Sequence, residues 1–369
     1  MTRSPLLDLP GAIPAPDDSP DAAVPWHFGD PFAEQRAATR GVGVVDRSHR
    51  EVIAVPGEER LSWLHLVISQ HVTGLAEGAG TEALILDSQG RVEAHMLLAH
   101  VDGTVWLDTE AGAQTSGARP GRVPLLAYLE QMIFWSKVEP RDATAERAVL
   151  SLVGPHTPAL LAEAGLPVPD GPYAVAEGAG VIVRRMPWPG PDAADLLVPR
   201  ADLLTWWQRL TAAGARPTGS LAFEALRVES AHPRAGLDTD EKTIPHEVGW
   251  VHVAAHVAKG CYRGQETVSK VHNIGRPPRR MLLLHLDGSD TVPEPGDQVR
   301  AGERVVGKVG SVAQHHELGP IALALVKRSI EPGTPLTVGE TGTSAAIDPD
   351  AIPADSPALG RAAAQGLRG

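Results

Sequence analysis

The pattern of apolar and polar positions divides the chain into mixed helical and strand segments, followed by a region of strands alone. Helical periodicity recurs at FAEQRAATR, EERLSWLHLVIS, LLAYLEQMIFWS, HTPALLAEAG, ADLLTWWQRLTAAGA and SLAFEALRVESA. Short apolar or alternating runs between them predict strands, among them GVGVVD, REVIAV, EALILD, VEAHMLLAHV, AVLSLVG and GVIVRRMPW. This alternation predicts an α+β fold up to about residue 275.

From Met281 onward the pattern contains only strands and turns. The short runs MLLLHL, DQVRAG, RVVGKVGSVA, PIALALVK, PLTVG and TSAAID are evenly spaced, which predicts a small antiparallel barrel or sandwich. A basic linker with two prolines, residues 276–280, precedes them. Residues 1–24 and 349–369 are rich in Pro, Asp and Ala and show no period, so we expect both segments to be flexible.

Composition narrows the class of protein. With 369 residues and 43% hydrophobic residues, the chain can fill the cores of two or three globular domains. A net charge of −12 argues against nonspecific binding to DNA, because phosphate backbones repel acidic surfaces. The N-terminus lacks the pattern of a signal peptide, and the longest apolar runs are too short to span a bilayer. We therefore expect a soluble cytoplasmic protein that does not bind membranes.

The only cysteine, Cys261, lies in the segment KGCYRGQETV. A single cysteine excludes an internal disulfide and any metal site with several cysteines in one chain. Such a residue is either a small buried side chain or a functional thiol. Lys259 and Arg263 favour the thiolate, and Gly260 and Gly264 suggest a bent loop that a partner can approach closely. The surroundings favour the functional thiol.

Histidines near the cysteine suggest other chemistry, but only weakly. A base for the thiol could come from His252, His256 or His272, although neighbours in sequence need not meet in space. In HEVGWVHVAAH, His246, His252 and His256 could form a metal site, yet the glutamate of the metalloprotease pattern is missing. We interpret these residues as ordinary histidines and predict no metal site.

A carboxylate extends the apolar stripe of the predicted helix SLAFEALRVESA. Ala222, Leu226 and Glu229 recur at helical spacing, and a carboxylate beside a buried face is costly unless donors satisfy it. One explanation is a structural ion pair with an arginine. The other is a ligand with paired N–H donors, such as the 2-amino group and ring N–H of a pterin. Both remain open at this point.

Several segments together resemble one family. KGCYRGQE is similar to the signature loop of the YgfZ folate-binding proteins, which are relatives of the glycine-cleavage T-protein and serve iron–sulfur enzyme maturation. LRVESAHPRAGLDTDEKTIPHE, LDSQGRVEAHMLL and IFWSKVEPRD resemble further segments of that family. The resemblance extends from about Trp26 to Asp348. It implies a T-protein-like ring of three parts: a split α+β first domain, an inserted α+β unit and a C-terminal antiparallel β-barrel.

The resemblance and the pattern together suggest domain boundaries. The expected segments are a flexible start (1–24), the first part of the folate-binding domain (25–145), the middle unit (146–215), the second part of the folate-binding domain (216–275), the barrel (276–348) and a flexible tail (349–369).

The resemblance also implies a ligand, partners and site residues. The ligand is tetrahydrofolate or a one-carbon derivative, and the partners are iron–sulfur client proteins. The residues expected to bind the folate are Glu229, Phe223, Tyr262 and Gln265. The residues expected to do chemistry are Cys261, Lys259 and Arg263.

Departures from the T-protein pattern separate the possible functions. Where T-proteins carry an acidic residue in a hairpin, this chain has His95, and Glu93 on the same face of the strand could replace it. A T-protein arginine cluster is replaced by residues 254–258, and residues 230–233 read SAHP where the YgfZ family usually has Ala-Gly-apolar-Pro. The changes in the hairpin and at residues 254–258 favour an iron–sulfur accessory factor over a one-carbon transferase, whereas the SAHP segment departs from the YgfZ pattern itself. A scaffold that binds folate only for stability is the third possibility.

Overall fold

A computed structural model of the chain describes residues 2–117, 121–273, 275–288 and 291–352. The helices in these ranges are α1 (Pro31–Arg40), α2 (Arg60–Val67), α3 (Leu125–Gln131), α4 (Thr157–Glu163), α5 (Leu203–Ala212), α6 (Ser220–Glu229) and α7 (Gln265–Asn273). Three short 3₁₀ turns lie at Pro5–Asp8, Arg200–Asp202 and Pro245–Glu247. Among the described residues, no helix combines the length and hydropathy that a bilayer-spanning segment needs.

Most of the longer strands coincide with predicted apolar or alternating runs, whereas several strands of two or three residues were not predicted. They are β1 (Ile13–Pro14), β2 (Pro25–His27), β3 (Gly43–Asp46), β4 (Glu51–Pro56), β5 (Ala79–Leu86), β6 (Val92–Val101), β7 (Thr104–Thr109), β8 (Gln114–Ser116), β9 (Arg122–Pro124), β10 (Arg141–Asp142), β11 (Arg147–Val153), β12 (Val175–Gly178), β13 (Val181–Met186), β14 (Ala193–Pro199), β15 (Arg216–Thr218), β16 (Arg279–Leu286), β17 (Gln298–Ala301), β18 (Arg304–His315), β19 (Gly319–Lys327), β20 (Leu336–Val338) and β21 (Thr343–Ile347).

The chain divides into two units by the density of its internal contacts. The first unit contains Met1–Leu64, Val72–Glu82 and Met96–Ser230. The second contains His65–His71, Ala83–His95 and Ala231–Gly369. The chain therefore passes from one unit to the other within α2, β5 and β6.

A five-stranded sheet has the order β10-β4-β7-β6-β5. Its strand β4 pairs antiparallel with β7, from Glu51 opposite Thr109 to Pro56 opposite Thr104. The four central residues of β4 are all buried, which explains why this strand reads as a continuous apolar run and not as an alternating one.

A six-stranded sheet of the first unit has the order β12-β13-β14-β11-β3-β15. Strand β15 runs parallel to β3, and the other pairings are antiparallel. One core cluster joins apolar residues of β3, β11, β13 and β14 to residues of α4 and α5. The strands of residues 146–215, for which we predicted a separate middle unit, thus share one sheet with β3 and β15.

The N-terminal residues differ from the flexible segment that we expected for residues 1–24. The Ser4 N–H donates to the Ala23 carbonyl at 2.8 Å, and β1 pairs with β2. Leu6 is fully buried in the core cluster of the six-stranded sheet. The composition of this segment, rich in Pro and Asp, indicated flexibility. A single buried apolar side chain can nevertheless anchor a polar segment, and it leaves no periodic pattern in the sequence.

The predicted C-terminal β-barrel is confirmed in the second unit. Six strands close in the order β16-β19-β18-β17-β20-β21, and β16 completes the closure by pairing with both β19 and β21. Apolar residues from all six strands fill the interior. Most of the predicted flexible tail, residues 353–369, lies outside the described residues.

The predicted helices are present, with two differences. The helix at LLAYLEQMIFWS ends at Gln131, and the following turn leaves Trp135 95% exposed. Helix α7 begins within the cysteine motif, at Gln265, and the sequence pattern did not predict it. Val268 is its one buried residue, so the helix has almost no apolar periodicity to reveal it.

Candidate functional site

The segment KGCYRGQE lies in the second unit, after an isolated bridge of Val251 with Ala255, and its last two residues are the first two of α7. Burial alternates sharply along it: Lys259 is 4% exposed and Tyr262 is 8% exposed, whereas Cys261 is exposed. The thiol is therefore presented to solvent by neighbours that are packed.

Lys259 anchors this segment. Its Nζ donates to the carbonyls of Ile68 at 2.6 Å and Gln70 at 3.2 Å, and also to that of His65 near the end of α2. A cation beside the last carbonyls of a helix satisfies acceptors that have no partner within the helix. Burial lowers the pKa of Lys259 to about 8. The predicted role of Lys259 in activating the thiol stays a prediction.

Tyr262 and Gln265 stabilise the loop through hydrogen bonds to its own backbone. The Tyr262 hydroxyl donates to the His256 carbonyl at 3.2 Å, and the Lys259 ammonium lies 4.9 Å from the centre of the Tyr262 ring. Gln265 Nε2 donates to the Lys259 carbonyl at 2.9 Å. Burial raises the pKa of Tyr262 to about 12. These contacts explain how the loop keeps its shape, and the predicted roles of both residues in folate binding are not tested by them.

Hydrogen bonds join residues 253–256 to Ser69 and Gln70, which lie just after the end of α2. Ser69 Oγ donates to the Ala254 carbonyl at 2.6 Å, and Gln70 Nε2 donates to the Val253 carbonyl at 2.6 Å. The His256 N–H donates back to the Ser69 carbonyl at 3.0 Å. Small buried side chains at Ala254 and Ala255 permit this approach.

Arg263 points toward the hairpin strand β6. Its Nη1 lies 3.8 Å from Oε2 of Glu93, whose side chain is only 5% exposed. Two residues farther along β6, the His95 ring stacks on Trp250 with 4.8 Å between centres and an angle of 7°. Glu93 therefore supplies a carboxylate close to the motif, while His95 is engaged with an indole.

The two glycines of the motif have different surroundings. Gly264 has a φ of +80°, and a Cβ there would lie 2.6 Å from the Asp87 carbonyl oxygen and 2.6 Å from the Gly90 Cα. Gly260 has no atom within 4 Å of the corresponding position. The close approach that we predicted from both glycines is present at Gly264, where the β5–β6 turn packs on the start of α7.

The predicted folate ligands of α6 lie in the first unit. Glu229 is the last residue of α6 and is exposed, although Ala222 and Leu226 on the same stripe are buried. Phe223 is 4% exposed, and the Arg47 guanidinium lies 4.6 Å from the centre of its ring. The apolar stripe thus ends before the carboxylate.

The predicted folate ligands would contact a pterin in two ways: a carboxylate would accept its N–H groups, and an aromatic ring would stack on its flat face. An exposed carboxylate such as Glu229 can accept the paired N–H donors of a pterin. Stacking needs a free aromatic face, and the rings of Phe223 and Tyr262 each already contact a cation. Glu229 is exposed at the end of α6, and its predicted role in folate binding stays a prediction.

Sequence reasoning missed a buried carboxylate in the first unit. Glu82 is fully buried, and its Oε1 accepts from Trp188 Nε1 at 2.9 Å and from the Tyr173 hydroxyl. Burial and the Glu82 charge raise the pKa of Tyr173. Glu82 lies within β5, and its donors are 91 and 106 positions away in the sequence, so its burial could be recognised only from the structure.

The histidines considered as metal ligands separate into two groups within the second unit. His256 lies beside His71, with 5.4 Å between ring centres, whereas His252 lies beside His272 at 5.3 Å. The segment carrying His252 and His256 is not helical, and His252 has a φ of +70°. The helical spacing that would have placed both rings on one face is absent.

Comparison with known proteins identifies two domain families. Residues 23–257 match the GCVT N-terminal domain, and residues 279–354 match the C-terminal β-barrel domain of CAF17. The second match begins at the first strand of the closed barrel.

Individual relatives support the same relationship. The chain is 28% identical over 273 residues to an aminomethyltransferase of Nitrosococcus oceani, covering 71% of this chain and 70% of the relative. It is 28% identical over 359 residues to an aminomethyltransferase of Rubrobacter xylanophilus, covering 95% and 93%. The structure of glycine cleavage system aminomethyltransferase T from Bartonella henselae superposes with a TM-score of 0.81 at 19% identity, covering 93% of this chain and 94% of that one. The fold is therefore T-protein-like.

Proposed function

Because the chain belongs to the family of the GCVT N-terminal domain and carries a CAF17-type C-terminal barrel, we propose that it is a tetrahydrofolate-dependent accessory protein for the assembly or repair of iron–sulfur proteins. Its working residue is Cys261. The iron–sulfur cluster is cargo in this proposal, and the folate is the resident ligand.

The exposed thiol of Cys261 carries the proposal. Lys259 and Tyr262 on either side of it are buried and donate hydrogen bonds to backbone carbonyls. These contacts hold the loop in a conformation in which Cys261 is exposed. A cysteine whose role is packing would be buried. One thiolate cannot hold a cluster alone, since such clusters usually take about four ligands. Cluster ligation must therefore be shared with a client protein or a small thiol.

The chain's own residues supply binding and charge for the folate. Glu229 accepts N–H donors of the pterin, and Arg263 together with Glu93 sets the charge next to the thiol. Tetrahydrofolate itself would contribute a reduced ring that can carry a one-carbon group. Cys261 contributes a sulfur that can ligate iron or exchange with another thiol.

The test is rescue of iron–sulfur enzyme activity in cells that lack their own YgfZ-type protein. Wild-type chain should restore the activity of a [4Fe–4S] enzyme, whereas Cys261→Ser should not, at equal protein levels. Arg304→Gln, at an exposed residue of the barrel, is the matched control and should rescue like the wild type. Full rescue by Cys261→Ser would remove the thiol from the function.

A folate-dependent one-carbon transferase is the second candidate. Curated relatives named aminomethyltransferase and the carboxylate of Glu93 beside Arg263 favour it. Turnover of methylene-tetrahydrofolate with a small amine acceptor distinguishes the two functions. Steady turnover that is lost in Glu93→Gln and kept in Cys261→Ser would establish the transferase and contradict the accessory role.

A further inference from the structure

A cavity of about 290 Å³ in the second unit has three arginines and three histidines among its lining residues. It lies between the Pro245–Glu247 turn, the C-terminal end of α7, the linker to β16 and the residue that follows β19. The basic residues that line it are His246, His252, His272, Arg276, Arg280 and Arg328. Neither the proposed folate ligand Glu229 nor Cys261 is part of this lining.

Arg276 and Arg280 lie close enough to Arg328 to disfavour its charge. Burial lowers the pKa of Arg328, and the charges of Arg280 and Arg276 lower it further. Arg280 donates from Nη2 to the Ile330 carbonyl at 2.8 Å, but its Nε has no hydrogen-bond partner among the described residues. The positive charges of neighbouring arginines repel one another, and a bound anion would reduce this repulsion.

Histidines complete the polar lining. Within the part of the chain that the structure describes, neither ring nitrogen of His246 meets a hydrogen-bond partner, although both are buried. Burial lowers the pKa of His246 to about 4, and the charges of His272 and His252 add to this effect. At neutral pH the His246 ring is uncharged and offers one N–H donor and one acceptor nitrogen.

The acidic side chain in the lining binds an arginine outside the lining. Glu247 is the one carboxylate among the described lining residues, and both its oxygens accept from Arg279 at 2.8 Å. Asp240 also accepts from Arg279, from Nη1 at 2.6 Å and from Nη2 at 3.1 Å. Glu247 is thus committed to a cation outside the cavity lining.

We propose that this cavity binds a small organic anion through a phosphate or carboxylate group. Guanidinium groups match both oxyanions in bidentate geometry, and Arg276, Arg280 and Arg328 all line the cavity. The cavity volume is near the lower end of small-molecule sites, of roughly 300 Å³, which suits a metabolite better than a macromolecule. A metal cation is disfavoured because the arginines would repel it.

Calorimetry with the full chain tests the proposal. The probes are inorganic pyrophosphate for the phosphate class and citrate for the carboxylate class, each compared with sodium chloride at equal ionic strength. Arg276→Gln and Arg328→Gln should weaken binding by about tenfold to a hundredfold, the usual effect of removing a charge-assisted hydrogen bond. Arg304→Gln removes the same charge from an exposed site outside the cavity and should bind like the wild type.

The possible results distinguish a phosphorylated ligand, a polycarboxylate ligand and the absence of a specific anion site. Saturable binding of pyrophosphate alone supports a phosphorylated ligand, and binding of citrate alone supports a polycarboxylate. Arg276 is exposed in the linker, so its variant keeps the test valid if Arg328→Gln does not fold. The proposal is overturned if neither probe binds saturably, or if both cavity variants respond like Arg304→Gln.

Discussion

Lys259 shows how a single buried cation can organise a functional loop. Its ammonium reaches three carbonyls contributed by residues 65–70, which are about 190 positions earlier in the chain. Sequence reasoning assigned Lys259 to the thiol, since the two residues are neighbours along the chain. The carbonyl partners could not be predicted, because no periodic pattern links residues so far apart.

Replacing Lys259 with methionine should reduce stability at neutral pH by about 1–3 kcal/mol, because three carbonyls lose their donor. The difference from wild type should also depend on pH. The pKa of Lys259 is about 8 in the folded protein against an ordinary value of 10.5, so the unfolded chain binds the proton more tightly between these values. The wild type's free energy of unfolding should therefore rise relative to the variant from pH 8 to pH 10.5. Urea unfolding at several pH values checks this, and a falling difference would contradict it.

Glu229 is the residue on which folate binding depends most in this account. Removing a charged acceptor of paired N–H donors costs about 1.5–3 kcal/mol, so Glu229→Ala should lose most of the tetrahydrofolate affinity. Glu177→Ala, which removes an exposed carboxylate of β12, is the control. Calorimetry in which both variants bind tetrahydrofolate like the wild type would exclude Glu229 from the site.

At the scale of elements, the packing of the β5–β6 turn on α7 makes one glycine of the motif essential. Gly264→Ala should cost about 1–3 kcal/mol, since alanine must adopt a φ of +80° and its Cβ would overlap the Gly90 backbone. Gly260→Ala in the same loop should be close to neutral, because the space around Gly260 is open. Chemical unfolding of both variants decides the point. Equal losses would show that this contact does not stabilise the loop.

The elements that sequence could predict are those that bury a regular apolar face. Strands such as β4 and β14 and helices such as α5 carry uninterrupted or periodic apolar residues, and the pattern located them. Helix α7 carries one buried residue and could not be located in this way. Candidate site residues were found through the resemblance of a short loop, whereas Glu82 and the basic cavity needed coordinates. Glu82 and its donors, like the residues that line the cavity, come from elements that are far apart in the sequence.

At the scale of the whole molecule, the N-terminal residues belong to the first unit's core. Leu6→Ala should reduce the free energy of unfolding by about 2–5 kcal/mol, because the side chain is fully buried in the cluster around the six-stranded sheet. Ile13→Ala in the same segment is the control, since Ile13 is 43% exposed and should matter little. If Leu6→Ala unfolds like the control, the segment does not contribute to the core.

The reactivity of Cys261 in the native protein is the most direct measurement of the central claim, which is that the motif presents a functional thiol. Alkylation at neutral pH and the melting temperature are measured together for wild type, Cys261→Ser and Arg263→Ala. Cys261 should be alkylated faster than free cysteine, Arg263→Ala should reduce this excess, and Cys261→Ser should melt at the wild-type temperature. A slowly alkylated thiol together with a destabilised Cys261→Ser, as expected when a hydroxyl replaces a buried sulfur at a cost of about 1–3 kcal/mol, would contradict it.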